Sequence, residues 1–151
     1  CMALNSYAGL EHRIELVGAR GGADWYNDSK ATNVDAVTVS LASFTRPIIW
    51  IAGGRHKGSP YAPLADLVRG HVKAALLIGE SAGAIADDLA GATAFTRCGT
   101  LETAVAEAAR ISAPGDVVLL SPACSSYDQF ADYEDRGRAF KALVLALPGG
   151  R

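Results

Sequence analysis

Three uninterrupted apolar runs constrain this chain most: Pro47-Ile48-Ile49-Trp50-Ile51-Ala52, Ala74-Ala75-Leu76-Leu77-Ile78 and Val117-Val118-Leu119-Leu120. None of them alternates apolar with polar residues. A strand of that kind is buried on both faces, as in a parallel sheet sandwiched between helices. Helical patterns separate the runs, near residues 61–70, over 82–90, and from Thr100 to about Ile111. Ala92–Phe95 reads as a further short strand, and Thr100 as a helix cap with Glu102 in the first turn. From Ile48 onward strand and helix alternate strictly. This predicts an α/β fold with a Rossmann-like, doubly wound, mostly parallel sheet. Ahead of it, Arg13–Val17 alternates charge and apolar side chain, Arg20-Gly21-Gly22 turns, and Trp25-Tyr26 returns. That predicts an N-terminal hairpin with an antiparallel strand. Helices are expected over 33–44 and 132–147, the last ending ahead of Pro148-Gly149.

The chain has 151 residues, which suits one domain with a real core. A lead-in over 1–9 precedes a domain over 10–151, and Cys1-Met2 is left out of the fold reasoning. A net charge of −2 supplies no basic field for nucleic acid and no polybasic membrane patch. Cys1, Cys98 and Cys124 are odd in number and widely spaced, without a C-x-x-C pair. This argues against a disulfide framework or a zinc site and points to a reducing, cytoplasmic setting. No apolar run approaches ~20 residues, and the N-terminus lacks a basic region followed by an apolar core.

In doubly wound sheets ligands bind beyond the carboxyl ends of the strands. Three polar loops leave those ends here. Asn27-Asp28-Ser29-Lys30-Ala31-Thr32-Asn33 sits at a strand-to-helix junction, where free N–H groups and the helix dipole favour anions. Lys30 adds a mobile positive charge, Asp28 can accept from hydroxyls, and Ser29 and Thr32 are short donors. The same residue types also gather ahead of helices simply to cap them. Gly53–Ser59 is glycine-rich but is no phosphate loop, because Lys does not directly follow the second glycine of the motif. It reads either as a solvated turn or as a carboxylate or phosphate clamp with Lys57 as the point charge. Ser121–Gln129 crowds hydroxyls at a strand end. Its N–H groups, with Ser125 and Ser126, could hold a carboxylate, and Cys124 reads as a packed apolar residue. Gly79-Glu80-Ser81-Ala82-Gly83 matches a nucleophile elbow. A hydrolase triad fails on order, since His12, His56 and His71 all precede Ser81; Ser81 reads as a helix cap.

Together the segments Leu10–Glu15, Trp25–Asn33, Gly53–Gly58 and Leu120–Phe130, with Tyr133-Glu134-Asp135-Arg136-Gly137, resemble the C-terminal domain of the Mur ligases. The likeness covers the chain from about Leu10 onward and is nearest to the D-glutamate-adding members. It implies an ATP-dependent ligase that joins D-glutamate to UDP-N-acetylmuramoyl-L-alanine in peptidoglycan synthesis, through an acyl phosphate. It implies three domains, of which the first holds the uridine nucleotide. The central one carries the phosphate loop, a carbamylated lysine and the Mg2+ ligands, and this chain corresponds to the third. By the same likeness Thr32, Lys57, Ser126, Tyr127 and Tyr133 surround D-glutamate, and Lys57 pairs with a carboxylate. Lys30 lies by the reacting groups as the catalytic lysine. Arg13, Asn27 and Asp28 reach ATP, Asp28 through the ribose hydroxyls. Without a phosphate loop, this chain alone is expected not to catalyse. The other reading left open is a stand-alone α/β module for small dicarboxylates or nucleotides.

Overall fold

A computed structural model of the chain describes residues 14–54, 60–124, 130 and 132–147. Strand β1 (Glu15–Arg20) pairs antiparallel with β2 (Ala23–Asn27). Gly21 and Gly22 join them with φ of 63° and 85°. Two successive left-handed residues make the tight turn that matches the natural twist of a hairpin. The chain continues through α1 (Val34–Ala42), β3 (Ile48–Gly53), a 3-10 turn (Ala62–Leu64), α2 (Ala65–His71) and β4 (Val72–Ile78). It closes with α3 (Ala82–Asp88), β5 (Ala94–Gly99), α4 (Leu101–Ile111), β6 (Val117–Leu120) and α5 (Tyr133–Leu145). The expected mostly parallel sheet with an antiparallel hairpin is therefore present. Two strands are displaced from their expected positions. β1 lies at 15–20 rather than 13–17, and β5 at 94–99 rather than 92–95. β5 is a sheet edge with Ala94, Thr96 and Arg97 exposed, so it lacks the apolar run that fixes the inner strands.

The six strands stand in the order β1-β2-β6-β3-β4-β5. All neighbours after the hairpin are parallel, with Trp25 opposite Val118, Trp50 opposite Leu119 and Ile51 opposite Leu76. The apolar runs divide their side chains between two cores. Ile48, Trp50 and Ala52 face one layer with Val37, Leu41, Val68 and Ile85, which come from α1, α2 and α3. Ile49 and Ile51 face the other with Ala104, Val105, Phe140 and Val144, from α4 and α5. Each such side chain removed from water contributes about 1.5–3 kcal/mol before entropy is counted. The position of β6 matters for function. It lies between β2 and β3, whose following helices cover one face, while its own helix α5 covers the other. A crevice opens where neighbouring connections diverge in this way. The loops after β2, β6 and β3, far apart in sequence, thus leave adjacent strands.

Candidate functional site

The Asn27–Asn33 loop is built by its own side chains. Asn27 is fully buried; its Oδ1 accepts from Ser29 N–H at 3.1 Å, and its Nδ2 donates to Glu15 at 3.1 Å. An Asx turn of this kind is local chemistry that asparagine offers readily. Asn33 caps α1, accepting from Ala36 N–H at 2.9 Å. Asn33 thus meets the capping expectation, while Asn27, Asp28, Ser29 and Ala31 are buried and Lys30 is exposed.

Asp28 is 2% exposed. Its carboxylate accepts from Ile14 N–H at 3.0 Å, from Ser121 Oγ at 2.9 Å and from Ser40 Oγ. It accepts hydroxyls, as the sequence suggests, from Ser40 and Ser121. With Lys30, Ile14, Ala31, Ala36, Val39 and Ser40 it also lines a pocket of about 130 Å³. Lys30 is exposed, and its Nζ stands 5.6 Å above the ring of Tyr133. Two residues singled out separately are therefore neighbours. Thr32 is half-buried beside them, its N–H donating to Lys30 O at 2.9 Å.

The Ser121–Cys124 stretch packs directly against this loop. Ala123 N–H donates to Ala31 O at 2.9 Å, and Asp28 N–H donates to Leu120 O at 2.8 Å. Ala123 sits at φ 64°, a left-handed conformation that a residue with a Cβ adopts at some cost. On the other side Gly53 N–H donates to Pro122 O at 2.9 Å. Gly53 has φ 124°, and a Cβ there would overlap the Ile78 carbonyl, so only glycine fits.

Arg136 on α5 joins these parts. It is 1% exposed. Its Nε donates to Ser29 Oγ at 2.9 Å, its Nη2 to Ser29 O at 2.8 Å and its Nη1 to Cys124 O at 3.1 Å. Ser29 Oγ in turn donates to Tyr133 O at 2.7 Å. One planar fork thus holds the loop of Lys30 and Thr32, the strand end ahead of Ser126, and the helix of Tyr133. A signal was present: Arg136, Phe140 and Val144 follow at i, i+4 and i+8, which puts the arginine on the buried stripe of its helix.

Cys124 is fully buried, in keeping with its packing role, and also meets two polar groups. Its Sγ lies 3.1 Å from Tyr61 Oη and 3.2 Å from Ser81 Oγ. Burial, and then the neighbouring thiol, push the Tyr61 phenol well above its ordinary value. Ser81 precedes α3, but its side chain makes no capping bond, which corrects the cap reading. The hydroxyl accepts from Gly54 N–H at 3.0 Å instead. The histidine described, His71, stands at the opposite end of the sheet with Nδ1 3.1 Å from Phe44 O. Arg13, Lys57, Ser126 and Tyr127 lie outside the described residues. Among the described residues no cluster of three or more His, Cys, Asp or Glu could hold a metal ion. Among them, too, no helix is long and apolar enough to cross a membrane.

The fold and this crevice define a doubly wound α/β domain with a polar rim at the carboxyl ends of its strands. Residues 12–124 match the family model described as Mur ligase, glutamate ligase domain, and the chain belongs to that family. It is 52% identical over 144 residues to a UDP-N-acetylmuramoylalanine–D-glutamate ligase of Myxococcus xanthus, covering 95% of this chain and 32% of the relative. A protein of the same description from Geotalea daltonii is 51% identical over 148 residues, covering 98% of this chain and 33% of the relative. The chain therefore spans about a third of the length of these relatives. Among solved structures, a murein peptide ligase from Psychrobacter arcticus superposes with a TM-score of 0.64 at 17% identity, over 97% of this chain and 33% of that one. At that identity the likeness is one of fold.

Proposed function

We propose that this chain is the C-terminal domain of an ATP-dependent ligase that adds D-glutamate to UDP-N-acetylmuramoyl-L-alanine in the cytoplasm. One observation carries the reading: Arg136 gathers the loops after β2 and β6 and the start of α5 into one rim. By the resemblance, those loops bring Thr32 and Ser126, with Tyr127 and Tyr133, around D-glutamate. The naming of the relatives as D-glutamate ligases supports the choice of substrate.

In this reading ATP, with Mg2+ held by other domains, supplies the phosphoryl group that activates the alanine carboxylate. The residues of this chain bind and orient. Lys57 pairs with a carboxylate of D-glutamate, and Thr32 and Ser126 donate to it. Tyr127 and Tyr133 complete the wall. Lys30, exposed over Tyr133, brings positive charge to the place where oxyanion charge develops as the amine attacks and phosphate leaves. Arg13 and Asp28 meet the nucleotide, Asp28 with a carboxylate already oriented by Ser40 and Ser121. Asn27 serves the same end through the turn it holds, since both ends of its amide are engaged. Holding two reactants in line is worth roughly 7–11 kcal/mol of barrier, but only with both partners present.

The test is an assay of the full-length protein for ATP-dependent incorporation of D-glutamate into the muramoyl-alanine nucleotide. L-Glutamate and the present chain alone serve as controls. The expected result is turnover with D-glutamate by the full-length protein and none by the chain alone. Equal use of the two enantiomers, or turnover by the chain alone, would overturn the reading.

A further inference from the structure

Lys30 is exposed, and its Nζ stands over the Tyr133 ring, 5.6 Å from the centroid. Among the described residues no carboxylate pairs with this ammonium, although Asp28 lines the same pocket. Tyr133 is half-buried and is the first residue of α5. The backbone beneath its ring is held in place from two sides. Asp132 caps the helix, accepting from Asp135 N–H at 2.8 Å. Ser29 Oγ donates to Tyr133 O at 2.7 Å, and Ser29 is itself held by Arg136 Nε at 2.9 Å and Nη2 at 2.8 Å. Ser29 is the residue before Lys30. The footing of the ring and the footing of the lysine are thus tied by one buried framework.

We propose that Tyr133 is a positioning residue for Lys30: its ring holds the ammonium beside the Asp28 pocket by a cation–π contact and leaves the charge unneutralised. This role rests on the proposed function, which puts Lys30 by the reacting groups. A lysine ammonium is a point charge on a flexible four-carbon stem, so an exposed one with no partner spreads over many rotamers. Two kinds of partner narrow that spread. A carboxylate does so by pairing, and it cancels the positive charge that a developing oxyanion needs. An aromatic face attracts the cation through its quadrupole and carries no net charge. The ring therefore places the ammonium without competing for it as a counter-ion would. The likeness gives Tyr133 to the amino acid. Holding Lys30 instead puts the effect of the ring on the chemical step, in kcat rather than in the KM for D-glutamate.

Two measurements on the full-length protein test this. NMR with the lysine Cε labelled, and the Lys30 signal assigned through Lys30→Ala, reads the contact. The Lys30 CεH2 protons are expected upfield of an ordinary lysine, shifted by the ring beneath them. Protons at the ordinary position in the native protein would overturn the proposal, and that result needs no variant of Tyr133 to fold. Steady-state kinetics reads the role. Tyr133→Leu is expected to lower kcat about two- to fivefold, the worth of a cation–π contact at an exposed site, with the KM for D-glutamate changed less than about twofold. Tyr133→Phe keeps the ring and is expected to keep the native kcat. A fall in Tyr133→Phe as deep as in Tyr133→Leu would assign the effect to the hydroxyl and overturn the proposal. So would a raised KM for D-glutamate with kcat unchanged, which would make the ring a substrate contact only. Lys30→Ala separates the two levels. If it lowers kcat while Tyr133→Leu does not, the positioning role alone fails; if it leaves kcat unchanged, the assignment of Lys30 to the reaction fails with it.

Discussion

Asp28, at the carboxyl end of β2, and Asp116, just ahead of β6, are both almost wholly buried, at 2% and 4% exposed. They sit at opposite ends of the sheet and are used differently. Asp116 closes a turn: it accepts from Ala113 N–H at 2.9 Å and from Lys73 Nζ at 2.6 Å, the lysine being partly exposed at the rim. Arg46 nearby pairs with Asp24, both partly exposed, and Arg69 with Asp66 three residues earlier, in the open. The amino end is thus a set of separate pairs, each answerable to water. Asp28 instead draws together a residue before β1, a helix side chain and the end of β6, beside the Arg136 fork. Charge alone does not mark a site. What sets the carboxyl end apart is that its polar groups are buried and converge from distant segments, with Lys30 exposed beside them.

The largest effect expected from this contrast is that of Arg136→Ala. Removing the fork withdraws donors from the Ser29 and Cys124 carbonyls and from Ser29 Oγ. A buried acceptor left without its donor costs about 1–3 kcal/mol, so a loss of about 3 kcal/mol or more is expected. Denaturant unfolding of the chain measures it. A loss below about 1 kcal/mol would mean that the carboxyl rim, like the amino rim, is held by independent weak pairs.

The contrast also separates what the sequence reveals from what it conceals. The layers were legible because Ile48–Ala52, Ala74–Ile78 and Val117–Leu120 are unalternating apolar runs of strand length set between helical patterns. The order that places β6 between β2 and β3 was not, since it depends on which strands pair across long separations. At the site, the polar character of Asn27–Asn33 could be read directly. The use of Asp28's oxygens could not, because Ser40 and Ser121 are distant in sequence and each looks like an ordinary polar residue alone. Ser81 misleads for a related reason. A serine before a helix suggests a cap, and only the proximity of Gly54 and Cys124 turns its hydroxyl elsewhere.

A second, smaller effect lies in alkali. A tyrosine ordinarily ionises near pH 10. In Tyr61 burial, and next the Cys124 thiol, raise that value in the folded chain. The folded state then holds the phenolic proton at pH values where the unfolded chain releases it. Stability from the neutral phenol is complete below about pH 10 and is lost as pH rises beyond it. Above that point the native protein should lose stability faster than Tyr61→Phe, by up to about 1.4 kcal/mol per pH unit. Unfolding curves at a series of alkaline pH values give both slopes. Parallel slopes would show that the phenol next to Cys124 is not set apart from solvent, and that the framework under the carboxyl rim is open.

The smallest effect belongs to Lys73→Ala at the other end. Two arguments compete here. Asp116 is buried, and stripping a buried carboxylate of its partner can cost 3–5 kcal/mol. Lys73, however, keeps 37% of its side chain exposed, and Asp116 retains the Ala113 N–H when the ammonium is gone. Water can then reach the position the ammonium leaves. The value expected is therefore that of a surface pair, about 0.5–1 kcal/mol. It should shrink further in about 1 M salt, where the screening length is about 3 Å. Unfolding of native and variant chains at low and high salt tests both points. A loss near 3 kcal/mol that salt does not reduce would make the Asp116 turn a buried network of the same kind as the Asp28 rim. The difference between the two ends would then have to rest on Arg136 alone.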